Sequence, residues 1–146
     1  MLTQTNYLGD VGIMIPLSKK CLEQGYGELI WNSSLARYFG LTSGGEYSAP
    51  KGALVYLAES IEPELRSYGI RLRIINHGFV KTRLTRKNTF TMPQLMEPSD
   101  AAKHIADALD VSEGFEIRFP KFLTFMLALI RFIPYSLSLR LTKKAL

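Results

Sequence analysis

The regular alternation of long helical segments with short apolar strands constrains the fold more than any other feature of the sequence. Strands separated by helices of this length pair in parallel, through right-handed crossovers. The sequence therefore predicts an α/β fold with one parallel sheet. Apolar spacing predicts helices over residues 5–24, 47–67 and 99–110 and strands at 28–32, 70–76 and 115–119, followed by a helical tail that is broken at Pro134.

The first strand, residues 28–32, carries three consecutive apolar residues, Leu29, Ile30 and Trp31. Such a run is typical of a strand that is buried on both faces. Parallel sheets are also usually larger than three strands. We therefore expect this strand to lie inside a sheet to which other strands belong.

Charge divides the chain into a body, residues 1–120, and a tail, residues 121–146. Five of the 18 basic residues lie in the tail, which has no acidic residue, so the other 13 balance the 13 acidic residues of the body. A neutral body argues against nucleic-acid binding, which needs a basic face. We expect the tail to pack as a cover over a substrate pocket, and contact with an acidic membrane surface is compatible with that role.

Cysteine and histidine are scarce in this chain. One cysteine, Cys21, excludes an internal disulfide, and two histidines, His77 and His104, do not suggest a metal site. No secretory signal pattern and no run long enough for a transmembrane helix is found. We expect a cytoplasmic protein, with peripheral association at the inner face of a membrane as an alternative.

The residues best suited to catalysis lie between Ser34 and Lys51. Ser34 follows the first strand and stands thirteen residues before Tyr47, and Lys51 comes four residues after the tyrosine. On a helix that begins near Tyr47, this tyrosine and lysine share one face, and Pro50 falls in the first turn. A hydroxyl at a strand end that faces such a pair suits proton transfer.

These residues resemble the short-chain dehydrogenase/reductase family along most of the chain. The family's Tyr-x-x-x-Lys motif and its serine match Tyr47, Lys51 and Ser34, and the asparagine of the preceding helix matches Asn6. The turn after the next strand matches residues 77–82, where histidine replaces the family's proline. The resemblance implies a doubly wound, Rossmann-like sheet and hydride transfer between NAD or NADP and a carbonyl or alcohol. The apolar tail in turn suits a small apolar substrate.

The resemblance also implies a role for each matched residue. Tyr47 is the general acid/base, and the Lys51 ammonium lowers its pKa and binds the nicotinamide ribose. Ser34 hydrogen-bonds the substrate oxygen, and Asn6 holds a water that carries protons to Lys51. The remaining cofactor contacts fall on Gly78, Val80 and Thr82.

The sequence departs from the family in one important respect: it has no glycine-rich turn between a strand and a helix to bind the pyrophosphate. By the family's layout, the first four strands are absent and strands five to seven remain. We therefore expect a truncated, inactive chain with an open sheet edge. Such a chain would swap domains, join a missing half, or form a homo-oligomer through helices 5–24 and 47–67.

Simpler interpretations stay open for the individual residues. Tyr47 and Lys51 can be a surface pair, Asn6 a helix cap, Thr82 a loop hydroxyl and His77 a turn substitution. The basic residues of 81–87 can be a solvated loop or can attract an anionic substrate or cofactor phosphate. For the whole chain, an inactive assembly module and a peripheral membrane protein remain alternatives to an enzyme.

Overall fold

A computed structural model describes residues 2–40, 42, 44–88, 90–111 and 113–143 of the chain. A π-helical turn, Gln4–Leu8, leads directly into the first helix. The elements are, in chain order, α1 (Gly9–Gln24), β1 (Gly27–Asn32), α2 (Gly45–Ser67), β2 (Ile70–His77), α3 (Pro98–Val111), β3 (Glu116–Phe119), α4 (Lys121–Ile130) and α5 (Tyr135–Lys143).

The three strands of the described residues form one parallel sheet in the order β1-β2-β3. Leu29 of β1 lies opposite Leu72 of β2, and Ile75 of β2 lies opposite Ile117 of β3. This arrangement confirms the predicted α/β fold with parallel strands joined by helices. It also brings the carboxyl ends of all three strands to the same edge of the sheet.

Helices cover both faces of the sheet, which makes a three-layer structure. On one face, α1 and α2 pack against β1 and β2, around Trp31, Leu54 and Ile74. On the other face, Ala101 of α3 joins the alternate residues of β2 and β3, including Ile117. Two cores on opposite faces are what alternating strand side chains produce when helices flank a sheet.

The prediction that β1 is covered on both faces is wrong. Leu29 and Trp31 are buried, but Ile30 between them is 40% exposed. The reason is that α3 packs over β2 and β3 and leaves the outer face of β1 open. Among the described strands, β1 pairs only with β2, so its other edge is open as well.

The structure confirms the predicted end of α1 and shifts the predicted starts of α2 and α3. α1 ends where predicted, because Gly25 adopts a left-handed φ of 75° and its N–H bonds the carbonyl of Leu22. α2 begins at Gly45, so Pro50 lies in the second turn and not in the first. α3 begins at Pro98, one residue before the predicted start at Ser99.

The tail forms two short helices, α4 and α5, separated near Pro134 as predicted. Leu123 and Leu127 of α4 pack against Leu35 and Tyr38, which follow β1. The tail thus covers the loop beyond the carboxyl end of β1. In the part of the chain that the structure describes, no helix has the length and apolar character needed to cross a bilayer.

Candidate active site

Ser34 lies just beyond the carboxyl end of β1, at the edge of the sheet where ligands bind in open α/β folds. Its backbone is extended, and its hydroxyl accepts a hydrogen bond at 3.2 Å from the N–H of Ala36, in the short 3₁₀ turn Leu35–Arg37. The same hydroxyl lies 3.5 Å from the carbonyl of His77, at the end of β2. Ser34 is therefore nearly buried and held between the ends of two strands.

Tyr47 lies in the first turn of α2 and faces Ser34. Burial raises the pKa of its phenol, and the hydrogen bond with Ser34 partly opposes that rise. The structure thus brings together the two hydroxyls that the sequence placed thirteen residues apart. At neutral pH Tyr47 carries its proton and can act as a proton donor.

Lys51 lies one turn further along α2 and is buried. Its ammonium nitrogen donates a hydrogen bond of 2.7 Å to the carbonyl of Asn32 and lies 3.9 Å from a carboxylate oxygen of Asp10. Burial lowers the pKa of Lys51, and the charge of Asp10 partly opposes this. The carbonyl of Lys51 itself accepts a hydrogen bond from the buried hydroxyl of Ser33.

The expected lowering of the Tyr47 pKa by Lys51 does not match the structure, in which that pKa is raised. Burial of the phenol is the main cause, and the opposing contribution comes from Ser34. The charge of Lys51 is instead directed to Asn32 and Asp10. Desolvation of the phenol outweighs the effect expected from the helical spacing.

Asn6 makes a local contact. It lies in the π-helical turn before α1, and its side-chain amide donates to the carbonyl of Leu2 at 3.1 Å. The residue on α1 that contacts Lys51 is Asp10, one helical turn after Asn6. Sequence reasoning missed Asp10, although its spacing of four from Asn6 was a usable signal.

The turn after β2 is held mainly by local contacts. Nδ1 of His77 lies 2.7 Å from the carbonyl of Gly78. A side chain at Gly78 would come within 2.9 Å of the Pro120 ring, so packing alone explains this glycine. Burial lowers the pKa of His77, the Gly78 hydrogen bond opposes this, and the nearby charge of Lys51 lowers it further.

Val80 and Thr82 are also engaged within the protein. The carbonyl of Val80 accepts a hydrogen bond from the Thr85 hydroxyl, and Val80 pairs with Met96 as an isolated parallel bridge. The Thr82 hydroxyl accepts from the N–H of Thr85. Lys81 forms an ion pair with Glu97, and the other basic residues of 83–87 are exposed.

A buried polar network beside the site was not predicted. One carboxylate oxygen of Glu116 accepts hydrogen bonds from Arg37 at 2.9 Å, Tyr38 at 2.5 Å and Asn76 at 2.7 Å. Burial alone would raise the pKa of Glu116, but these hydrogen bonds hold it below its usual value. The network fixes the segment after Ser34 to the end of the sheet.

A Rossmann-like α/β protein is the class that this sheet, its flanking helices and its strand-end residues define. The chain belongs to the short chain dehydrogenase family, an oxidoreductase family whose model matches residues 1–92. The resemblance noted in the sequence is thereby confirmed.

Individual relatives support the same conclusion. An uncharacterised oxidoreductase of Myxococcus xanthus is 37% identical over 116 residues, which are 80% of this chain and 46% of that protein. The chain thus spans about half the length of the curated relatives that it matches.

Solved structures share the fold at lower sequence identity. A short chain dehydrogenase from Burkholderia cenocepacia, in complex with NADP, superposes with a TM-score of 0.80 at 21% identity, covering 95% of this chain and 56% of that one. A short-chain dehydrogenase from Sphingobium yanoikuyae, in complex with NADPH, gives 0.72 at 14% identity, covering 90% and 55%.

Proposed function

We propose that this chain provides the substrate-binding and proton-transferring side of a hydride-transfer site that interconverts a carbonyl and an alcohol. The observation that carries the proposal is the position of Ser34 at the carboxyl end of β1, where it acts on the pKa of Tyr47, with buried Lys51 one helical turn away. Ser34, Tyr47 and Lys51 are the proposed catalytic residues, and Asn6 is proposed to assist them through water.

The residues fit a nicotinamide cofactor, NAD or NADP, which supplies or accepts the hydride when it is bound. Lys51 is buried at the site, and its ammonium has three donors, of which Asn32 takes one. The remaining donors suit the vicinal hydroxyls of a ribose. Gly78, Val80 and Thr82 are the proposed contacts of the nicotinamide end, and the NADP complex of the Burkholderia protein supports this choice of cofactor.

Tyr47 is the proposed proton donor of the site. A phenol that keeps its proton at neutral pH can give that proton to the oxygen of a carbonyl substrate as charge develops there. Ser34 is proposed to donate a hydrogen bond to the same oxygen.

The surroundings of Ser34 support a small apolar substrate. Leu35, the next residue, is buried against Leu123 and Leu127 of the tail, and Phe79 after β2 is partly buried at the margin of this cluster. The substrate would place its reacting oxygen at the two hydroxyls and its apolar part beside Phe79.

A second candidate function is an inactive association module, and the open side of β1 favours it. Ile30 on β1 and Ile13, Ile15 and Leu17 on α1 are exposed large apolar residues. The sequence also has no glycine-rich turn for the pyrophosphate. In this alternative the isolated chain does not bind dinucleotide and associates with a missing half or with other copies through these exposed surfaces.

A binding experiment separates the two candidates. NADH and NADPH are titrated into the chain and followed by nucleotide fluorescence, and carbonyl reduction is then assayed with a panel of apolar ketones. Hydride transfer predicts binding that Lys51→Met abolishes and turnover that Tyr47→Phe removes, with exposed Tyr26→Phe as the matched control. If the folded wild-type chain does not bind nucleotide, the association module is the candidate function that remains.

A further inference from the structure

Helix α5 is packed in the opposite sense to a helix of an ordinary water-soluble domain. The residues that it buries are Ser138 and Thr142, whereas Leu137, Leu139 and Leu141 are each about half exposed. The buried hydroxyls bond within the helix, as Thr142 does to the carbonyl of Ser138. Small hydroxyl residues inside and leucines outside are the arrangement found where helices face lipid.

Helix α4 adds large side chains to the same outer surface. It buries Leu123 and Leu127 against the body, but Phe122 and Phe125 are more than 60% exposed, and Phe132, after the helix, is 84% exposed. We call the exposed apolar side chains of residues 122–141 the tail surface. An outward apolar surface of this extent marks an interaction site.

The charges of the tail indicate which kind of partner it can bind. Lys121, Arg131, Arg140 and Lys143 are exposed, and residues 121–143 contain no acidic side chain. A groove in this region is lined by both kinds of group, with Arg118 and Lys121 beside aromatic rings that include Phe125 and Phe132. The partner must therefore be apolar and must carry negative charge.

We propose that the tail surface docks on the surface of an anionic lipid bilayer. The aromatic rings and leucines enter the boundary between headgroups and acyl chains, and the basic side chains contact the lipid phosphates. A second copy of the chain fits less well, because two tail surfaces in contact would bring basic side chains together without any acid between them. α4 and α5, of 10 and 9 residues, are each too short to cross a membrane and would lie in its plane.

The proposed docking places the candidate active site beside the bilayer. The inner face of α4 contacts Leu35, the residue after Ser34. A substrate dissolved in the membrane would therefore reach the site past the tail. The docking itself does not depend on the proposed hydride transfer, because it rests on exposed side chains and charge alone.

Vesicle flotation of the full chain tests the proposal without any nucleotide. We expect the chain to float with vesicles of phosphatidylcholine and phosphatidylserine, to float much less with phosphatidylcholine alone, and to be released by salt. Replacing both Arg140 and Lys143 by glutamine should weaken binding roughly 30-fold, since each basic residue near the surface contributes about one factor of five.

Apolar variants complete the test. Phe125→Ser combined with Phe132→Ser should reduce vesicle binding at least roughly tenfold, because two rings that would be buried in the bilayer are lost. Leu84→Ser, at an exposed leucine outside the tail, should leave vesicle binding unchanged. Circular dichroism and urea unfolding confirm that each variant folds. Three outcomes would overturn the proposal. The wild type and the phenylalanine variant could float equally, or the wild type could bind neutral and anionic vesicles equally. The wild type could also form a dimer that the phenylalanine substitutions dissociate, without binding vesicles at all.

Discussion

The ammonium nitrogen of Lys51 lies 2.7 Å from the carbonyl oxygen of Asn32, the last residue of β1. This contact joins α2 to the edge of the sheet where the candidate site lies. The ammonium is buried, and burial lowers its pKa, so the charged form is less stable here than in water. A buried charge that is kept at such a cost is typical of functional sites.

Lys51→Met should change the free energy of unfolding at neutral pH by less than about 1 kcal/mol, because relief of desolvation offsets the lost hydrogen bond. Since the pKa of Lys51 is lowered on folding, the wild-type cost is full at neutral pH, shrinks as the pH rises through the lowered pKa, and is gone above about pH 10.4. Urea unfolding measures both effects. Leu54→Ala, a fully buried control on the same helix, should lose about 2–5 kcal/mol; an equal loss for Lys51→Met would show a structural role.

The raised pKa of Tyr47 gives a second prediction. The difference in phenolate absorbance between wild type and Tyr47→Phe should show a titration above pH 10, and Ser34→Ala should move it higher because the opposing hydrogen bond is lost. The protonated phenol is favoured by folding, so its contribution to stability is present below about pH 10 and is lost at higher pH. A titration below pH 10 in the wild-type chain would contradict the geometry of the site.

Local pattern was enough to predict the sheet and the proximity of Ser34, Tyr47 and Lys51. Strand positions and parallel pairing follow from apolar runs between long helices, and the proximity of the three side chains follows from their spacing. Local pattern does not predict the exposure of Ile30 or the contact between Asp10 and Lys51, because both depend on how the helices pack against the sheet. The direction of the Tyr47 pKa was missed for the same reason: burial is a property of the tertiary structure and not of helical spacing.

His77 should give the chain a pH dependence near neutrality. Burial and the charge of Lys51 lower its pKa in spite of the hydrogen bond to Gly78. Folding therefore favours the neutral ring, and its contribution to stability is full above about pH 6.5 and is lost as the pH falls below that value. We expect His77→Gln to flatten the curve of unfolding free energy against pH just below 6.5.

The His77 ring resonances, assigned by comparison with His77→Gln, should titrate below pH 6.5 in the folded chain. Titration at or above that value would show that the ring is not desolvated as the structure places it. The urea measurements and the NMR titration are independent, so agreement between them would tie the pH dependence of stability to this one side chain.

Glu116 should contribute to stability through its three hydrogen-bond donors. Glu116→Gln should cost roughly 1.5–3 kcal/mol at neutral pH, because charged hydrogen bonds from Arg37, Tyr38 and Asn76 are weakened. Its pKa is lowered on folding, so the wild-type contribution is present above about pH 4.3 and is lost as the pH falls below it. Glu113→Gln, at an exposed glutamate, should stay within about 0.5 kcal/mol.

A double-mutant cycle with Arg37→Met tests whether the Glu116 network acts as a unit. We expect a coupling energy of about 0.5–3 kcal/mol, as for other groups in direct contact. Strictly additive losses would mean that the 2.9 Å contact between Arg37 and Glu116 contributes nothing to the folded state.

The open edge of β1 should make the isolated chain associate. Backbone groups on that edge have no strand partner among the described residues, and Ile30 exposes an apolar side chain beside them. Charged residues on an edge strand oppose pairing with another chain. Ile30→Lys should therefore shift sedimentation velocity profiles from oligomer towards monomer, with little change in the free energy of unfolding because the side chain is already partly solvated.

Val111→Lys, at an exposed site away from the sheet, should leave the oligomers intact. A wild-type chain that is a monodisperse monomer with one sharp unfolding transition would show that this edge needs no partner.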